Sequence, residues 1–191
     1  MSGQITDNFH REFALPFDAG GLMLRELLNN AWNETVEDYK ASRINSERTL
    51  QAALYSRLRT RLPTSTQVLC EPVISFELRG NLIPDMVIAE GGDVIAIIEL
   101  KFVPHHRPMW RGDLEKLRWY GEAKEAHFQL VLDPGTGVYT EDRFRFTENC
   151  LLVFGVVGRH DAEALDQEIL FVDAKGLEDR FVPLLHAVGN P

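Results

Sequence analysis

Cysteine is almost missing from this chain: its 191 residues hold only Cys70 and Cys150, neither beside a histidine at ligand spacing. That count excludes a disulfide scaffold and argues against structural zinc, and both residues read as buried thiols in strand-like stretches. Long apolar runs are missing as well. The longest, residues 94–98 and 151–157, fall far below the roughly 18 residues that a membrane span requires. The N-terminus has no basic region followed by an apolar one, so neither a membrane segment nor a leader is read, and a cytoplasmic location is expected. Repeats and low-complexity stretches are absent too, which leaves a single domain over residues 1–191 as the expectation. Positive charge is short: 20 Lys and Arg stand against 29 Asp and Glu, a net charge of −9. Such a balance argues against general affinity for nucleic acid, because phosphate binding rests on clustered Lys and Arg. The shortage is uneven. Residues 40–120 hold 12 basic and 9 acidic groups, whereas the flanks are acidic, 2 against 7 over residues 1–39 and 6 against 13 over residues 121–191.

What the chain does contain is an ordinary globular composition, 45% hydrophobic and 26% charged, and clear helical periodicity at its start. Leu24, Leu27, Leu28, Ala31, Thr35 and Tyr39 recur at helical spacing over residues 21–39. A second helix opens at Asn45 or Ser46, both good N-caps, and runs to Leu62, where Pro63 stops it. Its stripe is Leu50, Leu54, Leu58 and Leu62, and Glu47 projects from the same face at about 100° per residue. A carboxylate at the head of a core-facing stripe has two readings: it favours the helix N-terminus through the macrodipole, or it serves a site.

Strand signals follow over residues 68–78 and 82–89, separated by the turn Arg79-Gly80-Asn81. Glu90-Gly91-Gly92-Asp93 is a hairpin loop whose glycines suit the positive φ angles of two-residue turns. Pairing outward from that turn sets Asp85 opposite Ile98 or Glu99. Glu99 and Lys101, two residues apart on the apolar run that begins at Val94, point to the same side of the sheet. Burying charge is costly unless the charges pair or hold a metal, so three converging ionisable groups mark a candidate active site. Two carboxylates and a lysine, with Glu47 arriving from a helix and no histidine or cysteine in the group, fit an oxygen-ligand site for Mg²⁺ rather than zinc. A helix capped by Asp113 and carrying Leu114, Leu117 and Tyr120 comes next, and strands are read at residues 128–132, 151–157 and 169–172, with a short helix at 162–165. The Asp113 helix reads as a crossover, so the Glu99 strand and the Phe128 strand are expected to be parallel in an α/β fold with a mixed sheet.

Pro84-Asp85, the tight hairpin and Glu99-Leu100-Lys101 together resemble the PD-(D/E)XK nuclease superfamily, which includes restriction endonucleases, Holliday junction resolvases and repair exonucleases. The resemblance covers residues 45–135 and implies a restriction endonuclease-like core of order α-β-β-β-α-β, with an N-terminal helical extension over 1–44 and C-terminal strands over 136–191. It implies that Asp85, Glu99 and the main-chain carbonyl of Leu100 ligate Mg²⁺, with Mn²⁺ as a substitute, and that Lys101 is catalytic. Glu47 fits the acidic residue that many members carry on the helix before the sheet, and Lys116 looks like the basic residue that several carry on the helix after the motif. The activity implied is hydrolysis of phosphodiester bonds, with DNA as the expected partner. A nuclease-like fold that binds nucleic acid or a protein without cutting is the alternative, favoured by the acidic flanks; a homodimer or a basic partner subunit that supplies the grip is a third reading.

Several other residues carry two readings each. Lys116 is equally an i,i+3 partner of Asp113 on a solvated helix face. Gln129 faces the site from the next strand or ends in solvent. Arg48, Arg57, Arg59 and Arg61, with Arg107, Arg111 and Arg118, form a phosphate-contacting rim or the wet faces of two helices. His105, His106 and Trp110 lie in a loop with two prolines, where an aromatic stacks on bases or is simply exposed.

Overall fold

The computed structural model describes residues 17–76, 80–104, 110–123, 127–129, 131–132, 139–140, 144–158, 177 and 179–187. Two helices lead, α1 over Phe17–Lys40 and α2 over Glu47–Arg61. On α1 the predicted stripe is buried at Leu24, Leu28, Ala31 and Thr35, joined by Trp32 and Val36. The N-cap of α2 is Ser46: its hydroxyl accepts from Thr49 N–H at 3.2 Å while the Thr49 hydroxyl accepts from Ser46 N–H at 3.0 Å, a reciprocal capping box. Leu50, Leu54 and Leu58 are fully buried, as their spacing requires.

Strands follow as β1 (Thr66–Cys70), β2 (Val73–Phe76), β3 (Gly80–Leu82), β4 (Met86–Glu90) and β5 (Asp93–Val103). Helix α3 (Arg111–Glu122) leads on to β6 (His127–Gln129), β7 (Val131–Leu132), β8 (Tyr139–Thr140), β9 (Arg145–Gly158) and β10 (Phe181–Ala187). The central sheet has the order β1-β4-β5-β9-β10. Its first three strands are antiparallel neighbours, and β5, β9 and β10 run parallel. Apolar side chains of α1 and α2 cover one face, and those of α3 the other. The result is the expected mixed α/β architecture with helices on both faces, and α2, β1, β4, β5, α3 and β9 reproduce the order α-β-β-β-α-β. No described helix is long and apolar enough to cross a membrane.

Several expectations change. The strand read over 68–78 breaks at Glu71, whose φ of +49° turns the chain out of the central sheet, and Pro72 then supplies no N–H to continue the ladder. The stretch 82–89 likewise splits around Pro84, so β2 and β3 pair with each other in a separate small sheet with β6. The crossover through α3 delivers the chain to β9, not to the Phe128 strand: β9 is the parallel neighbour of β5, while β6 pairs antiparallel with β2. The reason is burial. Residues 150–158 of β9 are continuously buried, which suits a strand covered on both faces. Residues 136–191, expected as an extension, therefore contribute β9 and β10 to the sheet itself. The elements read at 162–165 and 169–172 lie outside the described residues. Of the two thiols, Cys150 is buried as expected, but Cys70, at the exposed end of edge strand β1, is not; both are free.

The hairpin between β4 and β5 turns on Gly91 and Gly92, with φ of +58° and +89°, values at which a side chain is strained. At the far end of β5, Gly158 pairs with Val103 with a φ of +134°, and a side-chain carbon there would run into the Val103 carbonyl. Gly158→Ala is accordingly expected to destabilise the fold by about 2–4 kcal/mol. Urea denaturation of the purified variant measures this.

Candidate active site

Strand β5 is buried on both faces, so its alternation decides which layer each side chain meets. Val94 and Ile97 pack among the residues around α3, whereas Ala96, Ile98 and Leu100 pack against α1 and α2. Glu99 and Lys101 continue the Ile97 side and reach side chains of α3. Their shared face, expected from their spacing, puts Glu99 in the interior with 1% of its surface exposed.

Asp85 immediately precedes β4. The pairing of Met86 with Ile98 brings it level with Glu99, although a bulge at Ile88/Ala89 interrupts the ladder nearer the turn. Three bonds clamp it. Its carboxylate accepts from Leu100 N–H at 2.5 Å, and its carbonyl accepts from Glu71 N–H at 3.0 Å and from the Gln51 side-chain amide at 2.6 Å. The left-handed backbone of Glu71 thus has a structural use: it aims an N–H at the peptide that carries Asp85.

Two helices complete the group. From the first turn of α2, Glu47 Oε2 lies 3.7 Å from Lys101 Nζ and accepts from Phe102 N–H at 3.4 Å. From α3, Lys116 Nζ donates to Glu99 Oε2 at 2.8 Å and lies 3.1 Å from Asp113 Oδ1. Lys101 Nζ lies 2.8 Å from Asp113 Oδ2. Asp85, Glu99, Lys101, Glu47 and Lys116 are therefore brought together, each through at least one of the others or a shared neighbour. Lys116 is the i,i+3 partner of Asp113, as one of its two readings had it, and it also pairs with buried Glu99.

Four carboxylates meet two ammonium groups here. Burial pushes Glu99 up to about 8, with Lys116 working against the rise and Asp85 adding to it. Asp85 rises to about 6, again through burial, opposed by its bond from Leu100 N–H. Burial works against the charge on Lys101 and Lys116, but the surrounding acids, Asp113 for the first and Glu99 for the second, hold both above the usual lysine range. Tyr120, 1% exposed, has a hydroxyl raised far above the phenol range by burial and by the nearby charges of Glu99 and Asp85. Neither that hydroxyl nor Glu99 Oε1 has a hydrogen-bond partner among the described residues.

An excess of carboxylate over cation around a buried acid oxygen with no partner is the condition that a divalent ion relieves. Mg²⁺ is commonly held by one or two carboxylates together with several waters, and Asp85 and Glu99 are the two acids of this group that could serve it. Glu47 is engaged elsewhere. Among the described residues no three His, Cys, Asp and Glu side chains group to hold a metal, and Glu47 pairs with Lys101 rather than joining Asp85 and Glu99.

Trp110 stands apart from the group. Trp110 is 6% exposed and sits in the core at the N-cap position of α3, so it is no stacking surface. Gln129 lies opposite Val73 in the small sheet. Arg57 and Arg61 pair with Glu34 and Asp38 of α1, and Arg59 donates to the Thr66 carbonyl, so these three hold α2 in place. Arg111 and Arg118 pair along α3 with Glu115 and Glu122, while Arg48 is exposed. His105, His106 and Arg107 lie outside the described residues. Sequence reasoning missed Asp113, Gln51 and Tyr120 as members of the group. Asp113 was read as a helix cap, yet the cap residue is Trp110 and no side chain caps α3. The signal for Gln51 was its place one turn after Glu47 on the same face.

No family model matches the chain, and no curated protein does. Among solved structures the chain is similar to P. aeruginosa ATCC27853 NucC in its cAAA-bound form, with a TM-score of 0.44 and 14% identity, covering 90% of this chain and 75% of that one. At that distance nothing about activity passes from one chain to the other, and the site is read from its own residues.

Because Glu99 and Asp85 are raised in the folded state, the stability they contribute is complete below the ordinary carboxylate range and is lost as pH rises through about 6 for Asp85 and about 8 for Glu99. Metal-free protein is therefore expected to melt on the order of 5 °C lower at pH 9 than at pH 6. Glu99→Gln should flatten the upper part of that dependence, which calorimetric scans in the presence of a chelator measure.

Proposed function

We propose that this protein is a metal-dependent nuclease that hydrolyses phosphodiester bonds, with DNA as its substrate. A single observation carries the reading: Glu99, buried on β5 with one oxygen unpartnered among the described residues, lies beside Asp85 and on the same strand face as Lys101. Purely structural ion pairing would leave the acid excess unexplained.

Asp85 and Glu99 would hold Mg²⁺, with the Leu100 carbonyl between them in sequence as a third oxygen. A bound ion of this kind supplies charge neutralisation at a phosphoryl oxygen and acidifies a coordinated water. The remaining work belongs to the chain. Lys116, fixed on Glu99 Oε2 at 2.8 Å, leaves Oε1 as the oxygen free to ligate. Lys101, half-buried and ion-paired, is an ammonium group and so a hydrogen-bond donor: it orients the attacking water by its oxygen and stabilises charge that grows on the phosphate. Glu47 steadies Lys101 from the side of α2. Gln51 and Glu71 hold the Asp85 peptide, which keeps its carboxylate in register with Glu99.

One observation favours a second reading, a nuclease-like protein that binds without cutting. Three arginines of α2 are engaged by carboxylates of α1 or by the Thr66 carbonyl, and the chain carries −9 overall, so the grip on a polyanion is weak unless a second copy or a basic partner adds to it.

Purified protein with Mg²⁺ or Mn²⁺ is expected to cut at least one of linear, supercoiled, branched and single-stranded DNA. Asp85→Ala and Lys101→Ala should each lower kcat/KM by roughly 10²–10³-fold while the circular dichroism spectrum stays unchanged. If the wild-type protein cleaves none of these substrates and calorimetry finds no Mg²⁺ or Mn²⁺ affinity, the non-cutting reading replaces this one.

A further inference from the structure

Asp113 is an acid in the first turn of α3 whose side chain makes no cap bond to the helix end. The cap residue, Trp110, makes no side-chain cap bond, and the Asp113 side chain is 15% exposed and turned toward the sheet. There its two oxygens form ion pairs with two lysines from different elements, Oδ2 with Lys101 on β5 at 2.8 Å and Oδ1 with Lys116 on α3 at 3.1 Å, the first a charge contact without an aligned hydrogen bond among the described residues. Among the described residues each lysine has one other ion-paired acid: Lys116 has Glu99 at 2.8 Å, and Lys101 has Glu47 at 3.7 Å, a longer and looser contact.

We propose that Asp113 is a positioning residue, a single carboxylate that holds the Lys101 and Lys116 ammonium groups at a fixed separation. The proposal rests on the nuclease reading for its consequence in catalysis, but not for the pairing itself. Lysine side chains lose much rotamer freedom when held in one place, so an ammonium group meets a reacting water reliably only if a fixed partner restrains it. For Lys101 the strand fixes the backbone alone, and Asp113 is its closest acid. For Lys116, Asp113 stops the ammonium group from collapsing wholly onto Glu99. Dividing one carboxylate between them ties the two positions together: a shift of α3 relative to β5 moves both.

An acid at this place also repels phosphate. That gives the role a signature that a merely structural part would lack. Asp113→Asn, which keeps shape and removes charge, should lower kcat by roughly tenfold to a hundredfold, while KM for DNA stays level or falls because a negative charge has gone. Asp113→Glu, which keeps the charge, should recover part of the loss.

A second readout needs neither metal nor DNA. Amine-reactive labelling of the metal-free protein, mapped by mass spectrometry, should modify Lys101 and Lys116 severalfold faster in Asp113→Asn than in wild type, with Asp113→Glu between them. Thermal melting of each variant first establishes that it is folded. Unchanged labelling of both lysines in folded Asp113→Asn overturns the proposal, as does an unchanged kcat in an active enzyme. Faster labelling in a protein whose wild type cleaves nothing upholds the pairing and removes the nuclease reading instead, so the two failures are distinct.

Discussion

Desolvation of the Glu99 carboxylate is the constraint around which this molecule is arranged. Placing an acid in the middle of a strand covered on both faces takes it out of water, and the cost falls on the charged form unless partners restore it. Lys116 restores part of it through one oxygen, and the other oxygen is left without a partner among the described residues. The position of α3 follows from this, since that helix must bring Lys116 within reach while Leu114, Leu117 and Tyr120 cover the sheet. Replacing such a pair with apolar residues is often neutral or stabilising in other proteins. A charged group in this setting is therefore a cost to the fold, which agrees with a chemical use for it.

The two helical layers share the work unequally. Helix α3 supplies the cation for Glu99 and the acid that engages both lysines, while α2 supplies restraint: Glu47 and Gln51, one turn apart, reach Lys101 and the Asp85 peptide. Helix α1 secures α2 through Glu34 and Asp38, which take up Arg57 and Arg61. Arginines that a stripe diagram assigns to solvent thus act as helix-to-helix ties.

Where local geometry governed a feature, it was legible from the letters. Gly91-Gly92 sets the hairpin because only glycine enters those φ values freely, and counting outward narrows the partner of Asp85 to Ile98 or Glu99; the bulge at Ile88/Ala89, which no local rule announces, selects Glu99. The Leu50, Leu54 and Leu58 stripe and the Ser46 cap were readable for the same reason: each depends on neighbours within one or two turns. Legibility ended where a residue's partner lay far along the chain. Residues 128–132 and 145–158 both read as strands, and the choice of which lies beside β5 turned on burial across the whole sheet, which no window of sequence contains. Trp110 read as a loop aromatic and is a core residue, because the cavity it fills is built by other elements.

The sequence by itself determined the hairpin and the shared face of Glu99 and Lys101. Backbone turn preference and the two-residue period of a strand act over a few residues and do not depend on what the strand meets. Only the tertiary structure decided which charges pair. Asp113 faces two lysines and not its own helix end, Glu47 faces Lys101 and not the two acids, and the arginines of α2 face α1, because the strength of an ion pair depends on the separation and burial that packing alone imposes.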